Sequence, residues 1–114
     1  MDYLDQVLNN YKNKNEIVRI RLFTSFYDEL RVDNPSVVIW KDTNGLICIS
    51  SEKQYKELLK EDLKNKNIPE ILYCIEDKQK AYDLYKIFGN FEDYGSILEG
   101  IIGIIKEDAM GLEL

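Results

Sequence analysis

Two apolar tetrapeptides, Val37-Val38-Ile39-Trp40 and Leu46-Ile47-Cys48-Ile49, flank Asp42-Thr43-Asn44-Gly45. Turn formers between runs of β-branched and aromatic residues dictate an antiparallel hairpin, and a hairpin is stable only when one face is buried against other elements. Two registers satisfy the pattern. A two-residue Asn44-Gly45 turn pairs Trp40 with Ile49, whereas a three-residue turn with a glycine bulge pairs Trp40 with Cys48.

The elements that can cover this hairpin follow from periodicity. Leu4, Val7, Leu8 and Tyr11 repeat at helical spacing behind a possible Asp2 cap, and residues 9–15, rich in Asn and Lys, read as loop. Val18, Ile20 and Leu22 alternate with Arg19 and Arg21, the period of a strand with one buried face. Residues 24–32 fit either a short helix capped by Ser25 or a further strand through Leu30 and Val32, with strand favoured. Pro35 ends that segment because the residue before a proline is driven to extended geometry.

Ser51-Glu52-Lys53-Gln54 has the spacing of a capping box, and Tyr55, Leu58, Leu59 and Leu63 carry a helical stripe behind it, with Glu52 and Lys56 set for an i,i+4 ion pair. The run Ile71-Leu72-Tyr73-Cys74-Ile75 is apolar throughout, as in a strand covered on both faces and central in its sheet. Asp77 is placed to cap a helix burying Ala81, Leu84, Tyr85 and Phe88, with Gly89 as its terminator. Residues 97–105 keep a helical period behind Ser96-Ile97-Leu98-Glu99, although Gly100, Gly103 and repeated isoleucine also suit a strand. Helix is the reading adopted.

These elements make one α+β domain over residues 1–114: a mainly antiparallel sheet built on the Trp40/Asn44-Gly45 hairpin, with helices packed on one face. A chain of 114 residues is the length of one ordinary domain, and it buries on the order of two thirds of its unfolded surface without needing staples. Asp2 and Asp5 stand where a signal peptide would be cationic, and no apolar run is long enough to span a bilayer, so a cytoplasmic protein is expected. Cys48 and Cys74 lie inside apolar runs and read as small buried hydrophobes. Frequent Lys, Asn, Ile and Tyr accord with an AT-rich bacterial or phage genome.

Several chemistries are excluded by composition. Histidine is absent, which removes Ser-His-Asp and Cys-His machinery and the usual zinc ligand. Asp42-Thr43-Asn44-Gly45 departs from a calcium loop because its glycine arrives early and Lys53 stands where a bidentate glutamate belongs. Gly95 and Gly100 match the glycine spacing of a phosphate-binding loop, but Ile101 and Ile102 follow where Lys and Ser or Thr are required. Arg19 and Arg21 near Phe23 and Tyr27 could stack bases, yet the net charge of −6 opposes a polyanion. No catalytic residues, metal or cofactor are expected.

What remains is charge. The last 48 residues hold ten acidic side chains against four lysines, while the first 66 are balanced, eleven against eleven. A one-sided negative field steers a protein toward basic surfaces. Glu76, Asp77, Tyr82, Asp83, Phe91, Glu92, Asp93 and Tyr94 combine carboxylates with aromatic anchors, as an interface for a basic protein requires. The expected function is a small non-catalytic protein-binding module, an acidic inhibitor or immunity-type protein occluding a basic site on a partner such as a nucleic-acid enzyme. It would bind neither nucleic acid nor membrane. The alternative is a small regulatory or ligand-binding domain, dimeric through residues 97–105.

Overall fold

A computed structural model describes residues 2–23, 36–64, 69–90 and 93–111. Among these residues four helices and four strands follow one another as α1 (Asp2–Lys14), β1 (Ile20–Leu22), β2 (Val37–Lys41), β3 (Ile47–Ser51), α2 (Glu52–Lys64), β4 (Glu70–Ile75), α3 (Lys78–Asn90) and α4 (Tyr94–Gly111). The strands form one sheet in the order β1-β3-β2-β4. β2 runs antiparallel to both β3 and β4, and β1 pairs with β3 in parallel. The α+β class and the mainly antiparallel sheet are as the sequence predicts. The segment 24–32, read as helix or strand, lies outside the described residues.

The hairpin takes the three-residue turn: Trp40 opposes Cys48 and Ile39 opposes Ile49. Its cause is local. The Asp42 carboxylate accepts from the amides of Asn44 and Leu46 at 2.8 and 2.9 Å, and Gly45 sits at φ +83°, a conformation glycine adopts without steric cost. The Tyr3 hydroxyl donates to the Gly45 carbonyl at 2.6 Å, tying α1 to the turn.

Alternation along the strands divides the sheet into two covered faces. Ile20, Val37, Ile39, Ile47, Ile49 and Ile75 point into the main core with Leu4 of α1, Ala81 and Leu84 of α3, and five isoleucines and Leu98 of α4. Val38, Trp40 and Cys48 point the other way, against Tyr55, Leu58 and Leu59 of α2. Three helices therefore share one face, while α2 closes the opposite one, a correction to the expectation that the helices pack on one face alone. The hydrophobic residues at alternate positions of β2 and β3 leave neither face polar, so each needs its own cover. Trp40 donates its indole N–H to Ser50 Oγ at 3.1 Å, satisfying the one polar atom it buries there.

Helix ends follow the predicted caps with three corrections. Ser51 Oγ accepts from Gln54 N, Asp77 Oδ1 accepts from Lys80 N, and Lys56 pairs with Glu52 at 2.9 Å, all as the spacing implies. α4, however, starts at Tyr94 under an Asp93 cap rather than under Ser96: the carboxylate accepts from Gly95 N, Ser96 N and Ser96 Oγ. α1 runs through the segment read as loop, ending at Asn15 with φ 57°. Tertiary contacts override its low propensity there, because Tyr11 reaches Asp93 and Lys12 pairs with Glu99 at 3.1 Å. Gly89, the predicted terminator of α3, lies within its last turn, since that helix extends to Asn90.

Candidate protein-binding site

β4 differs from its sequence reading. It is an edge strand rather than a central one, because β2 is its only partner among the described residues. Its register shifts between Ile39 and Trp40, which oppose Tyr73 and Ile71 and leave Leu72 as the extra residue. The shift sets Ile71 on the face of Trp40 and Cys74 on the face of Val38, the side covered by α2. α2 lies over β3 and β2, so Ile71 stays 49% exposed. Cys74 is exposed too, contrary to its buried reading.

Carboxylates stand around this strand. Glu70 at its start pairs with Lys41 at 3.0 Å. Glu76 and Asp77 follow its end. Tyr73 donates to Asp108 of α4 at 2.7 Å, and Lys80 of α3 bridges to Glu107 at 2.9 Å. The Lys80 ammonium is held above its ordinary pKa first by that hydrogen bond and further by the charges of Glu107, Asp83 and Asp77. One ammonium thus faces three carboxylates. Cys74 lies near Glu52 and Glu76, and partial burial followed by those two charges pushes its thiol pKa up. Cys48 is pushed up to about 12, chiefly by burial. Both therefore stay protonated thiols near neutrality, poor nucleophiles and poor metal ligands. Among the described residues no three Cys, Asp or Glu side chains converge as a metal site.

The eight residues singled out in the sequence separate into two places. Glu76, Asp77, Tyr82 and Asp83 belong to the beginning of α3, at the β4 edge. Asp93 and Tyr94 lie past its far end, and a helix of 13 residues is about 20 Å long. Phe91 and Glu92 fall outside the described residues. Asp77 and Asp93 serve as helix caps, which accounts for part of the acidity on local grounds. Asp83 accepts from Gln79 one turn away at 3.1 Å.

Asp93 and Tyr94 join a different surface. Tyr11 donates to Asp93 at 2.5 Å, which lowers the pKa of the carboxyl and, with partial desolvation, raises that of the phenol. Beside them opens a cleft of about 420 Å³ lined by Tyr11, Ile17, Val18, Asp93, Tyr94 and Gly95 among others. Its rim carries two exposed apolar side chains, Ile17 at 87% and Tyr94 at 49%.

Residues that the sequence did not single out complete the β4 edge: Glu70, Ile71, Tyr73, Lys80, Glu107 and Asp108. Glu107-Asp108 is legible as an acidic pair, but its apposition to Tyr73 and Lys80 depends on α4 folding back antiparallel to α3. No protein-family model, curated protein or solved structure matches the chain.

Proposed function

We propose that this chain is a non-catalytic protein-binding module that engages a basic surface through the acidic edge around β4, in the manner of an inhibitor or immunity-type protein. The observation carrying the reading is the grouping of Asp77, Asp83 and Glu107 around the ammonium of Lys80, past the end of the edge strand whose opposite face and opposite end leave Ile71 exposed. Carboxylates give orientation and rate of encounter, and exposed apolar side chains give the contact that holds. A partner whose own site binds phosphate, such as a nucleic-acid enzyme, presents the complementary charge. Occlusion needs no chemistry from the module, consistent with protonated thiols and the absence of histidine. The alternative of a dimer through residues 97–105 has little surface to draw on: Ile97, Leu98, Ile101, Ile102, Ile104 and Ile105 are all buried in the chain's own core.

The test is affinity capture with a matched control. Wild-type chain and a Glu76→Lys/Glu107→Lys variant, neither change removing a helix cap, are immobilised and exposed to the host's soluble proteins. The reading expects basic proteins retained by the wild type, released by salt, and lost from the variant. Retention of the same proteins by both forms, unaffected by salt, contradicts it.

A further inference from the structure

The two edges of the sheet are built differently. β1 is three residues long, with Arg21 at its centre and Arg19 just before it, the charged and short form that blunts an edge against further pairing. β4 is twice that length, six residues reading Glu-Ile-Leu-Tyr-Cys-Ile, with no lysine, arginine or proline inside it. No described strand lies beyond it. An apolar edge of this length, interrupted once by the extra residue Leu72, offers main-chain donors and acceptors on either side of that bulge to an incoming strand.

We propose that the outer edge of β4 accepts an extended segment of a basic partner as a fifth strand, apolar in its middle and carrying Lys or Arg at both ends. The inference rests on the acidic-surface reading and specifies how that surface is used. Charge selects the occupant. Glu70, shared with Lys41, stands at one end of the strand, and Glu76 and Asp77 at the other, where Asp83, Glu107 and Asp108 outnumber the one ammonium of Lys80 that they surround. A second copy of β4 pairing antiparallel would bring the acidic group of Glu76 and Asp77 onto Glu70 and its Lys41 partner, twice over, crowding carboxylates that one lysine offsets only in part, and like charges placed opposite each other on paired strands are destabilising. A strand with basic ends meets opposite charges at the same two places, so one arrangement of carboxylates both favours the foreign strand and disfavours self-pairing. Between the ends, Ile71 and Cys74 lie exposed on one face, where alternate side chains of the incoming strand would cover them.

The experiment uses the full chain and three synthetic peptides of alternating valine and threonine: one lysine-capped at both ends, one glutamate-capped, and one lysine-capped with alternate amides N-methylated. Binding is read by fluorescence anisotropy and by amide hydrogen exchange along residues 70–75. The lysine-capped peptide is expected to bind and to slow exchange in β4 about tenfold or more, whereas the other two fail. Ile71→Lys and, independently, Cys74→Lys, both exposed positions whose fold is checked by circular dichroism, are each expected to weaken binding about tenfold. Equal binding of the N-methylated peptide, or binding without protection of β4, overturns strand addition while leaving the acidic-surface reading intact. Failure of the lysine-capped peptide to bind at all overturns the inference as well. A chain that sediments alone as a dimer and becomes monomeric on Ile71→Lys would show that a second copy occupies the edge instead.

Discussion

Tyr73 and Asp108 join the edge strand to the last turn of α4, the phenol donating to the carboxylate at 2.7 Å across 35 positions of sequence. This contact holds the acidic end of α4 beside β4. Partial burial, then the hydrogen bond and charge of Asp108, push the Tyr73 pKa up to about 12. A group that binds its proton more tightly when folded contributes stability that is complete below its unfolded pKa, about 10 for tyrosine, and that is lost as pH rises through the folded value. Urea midpoints of the wild type should therefore fall more steeply between pH 10 and about 12 than those of Tyr73→Phe. Absorbance titration should show the variant losing a phenol that ionises near the top of that window.

Gly95 and Gly103 should respond in opposite directions to alanine. A Cβ at Gly95 would stand 2.1 Å from the Tyr11 ring, so the ring must leave and its bond to Asp93 breaks with it. The expected loss is about 1–3 kcal/mol, and it should shrink when Tyr11 is already alanine. A Cβ at Gly103 meets nothing within 4 Å, and there the better helix propensity of alanine should add about 1 kcal/mol. Denaturant melts of the two variants and of the Tyr11/Gly95 double-mutant cycle check both signs.

Ser50→Ala removes the acceptor of the Trp40 indole N–H in a site from which water is excluded. An orphaned buried donor costs about 1–3 kcal/mol. Because Trp40 is the only tryptophan, its fluorescence reports both the local change and global unfolding in one measurement.

The two thiols should separate by reactivity. Cys74 is exposed and Cys48 buried, so a thiol reagent should modify one cysteine per native chain and the second only on unfolding. The raised pKa of Cys74 should make even its reaction slow near neutrality, accelerating as pH rises. Peptide mapping of the labelled residue checks the order.

Most helices and the hairpin are legible in the sequence because their determinants are local: capping residues at Ser51 and Asp77, and period-two alternation through Val18, Ile20 and Leu22. The hairpin register is not, since both turns use Asn44-Gly45, and what decides between them is the reach of the Asp42 carboxylate to two amides. β4 misleads for a related reason. Its unbroken apolar run describes composition and says nothing of coverage, and whether α2 extends over Ile71 and Cys74 is a tertiary matter. The acidic segment 76–94 is continuous in sequence yet divided in space by the length of α3. Its replacement neighbours, Glu107 and Asp108, arrive from the far end of an antiparallel helix.

Amide chemical-shift mapping of the labelled full chain, titrated with a basic protein captured by it, tests the account most directly. Perturbations are expected along residues 70–77 and at Asp83, Glu107 and Asp108, fading as salt is raised from low to physiological concentration. Perturbations confined to the cleft of Ile17 and Tyr94, with residues 70–77 unmoved, would contradict it.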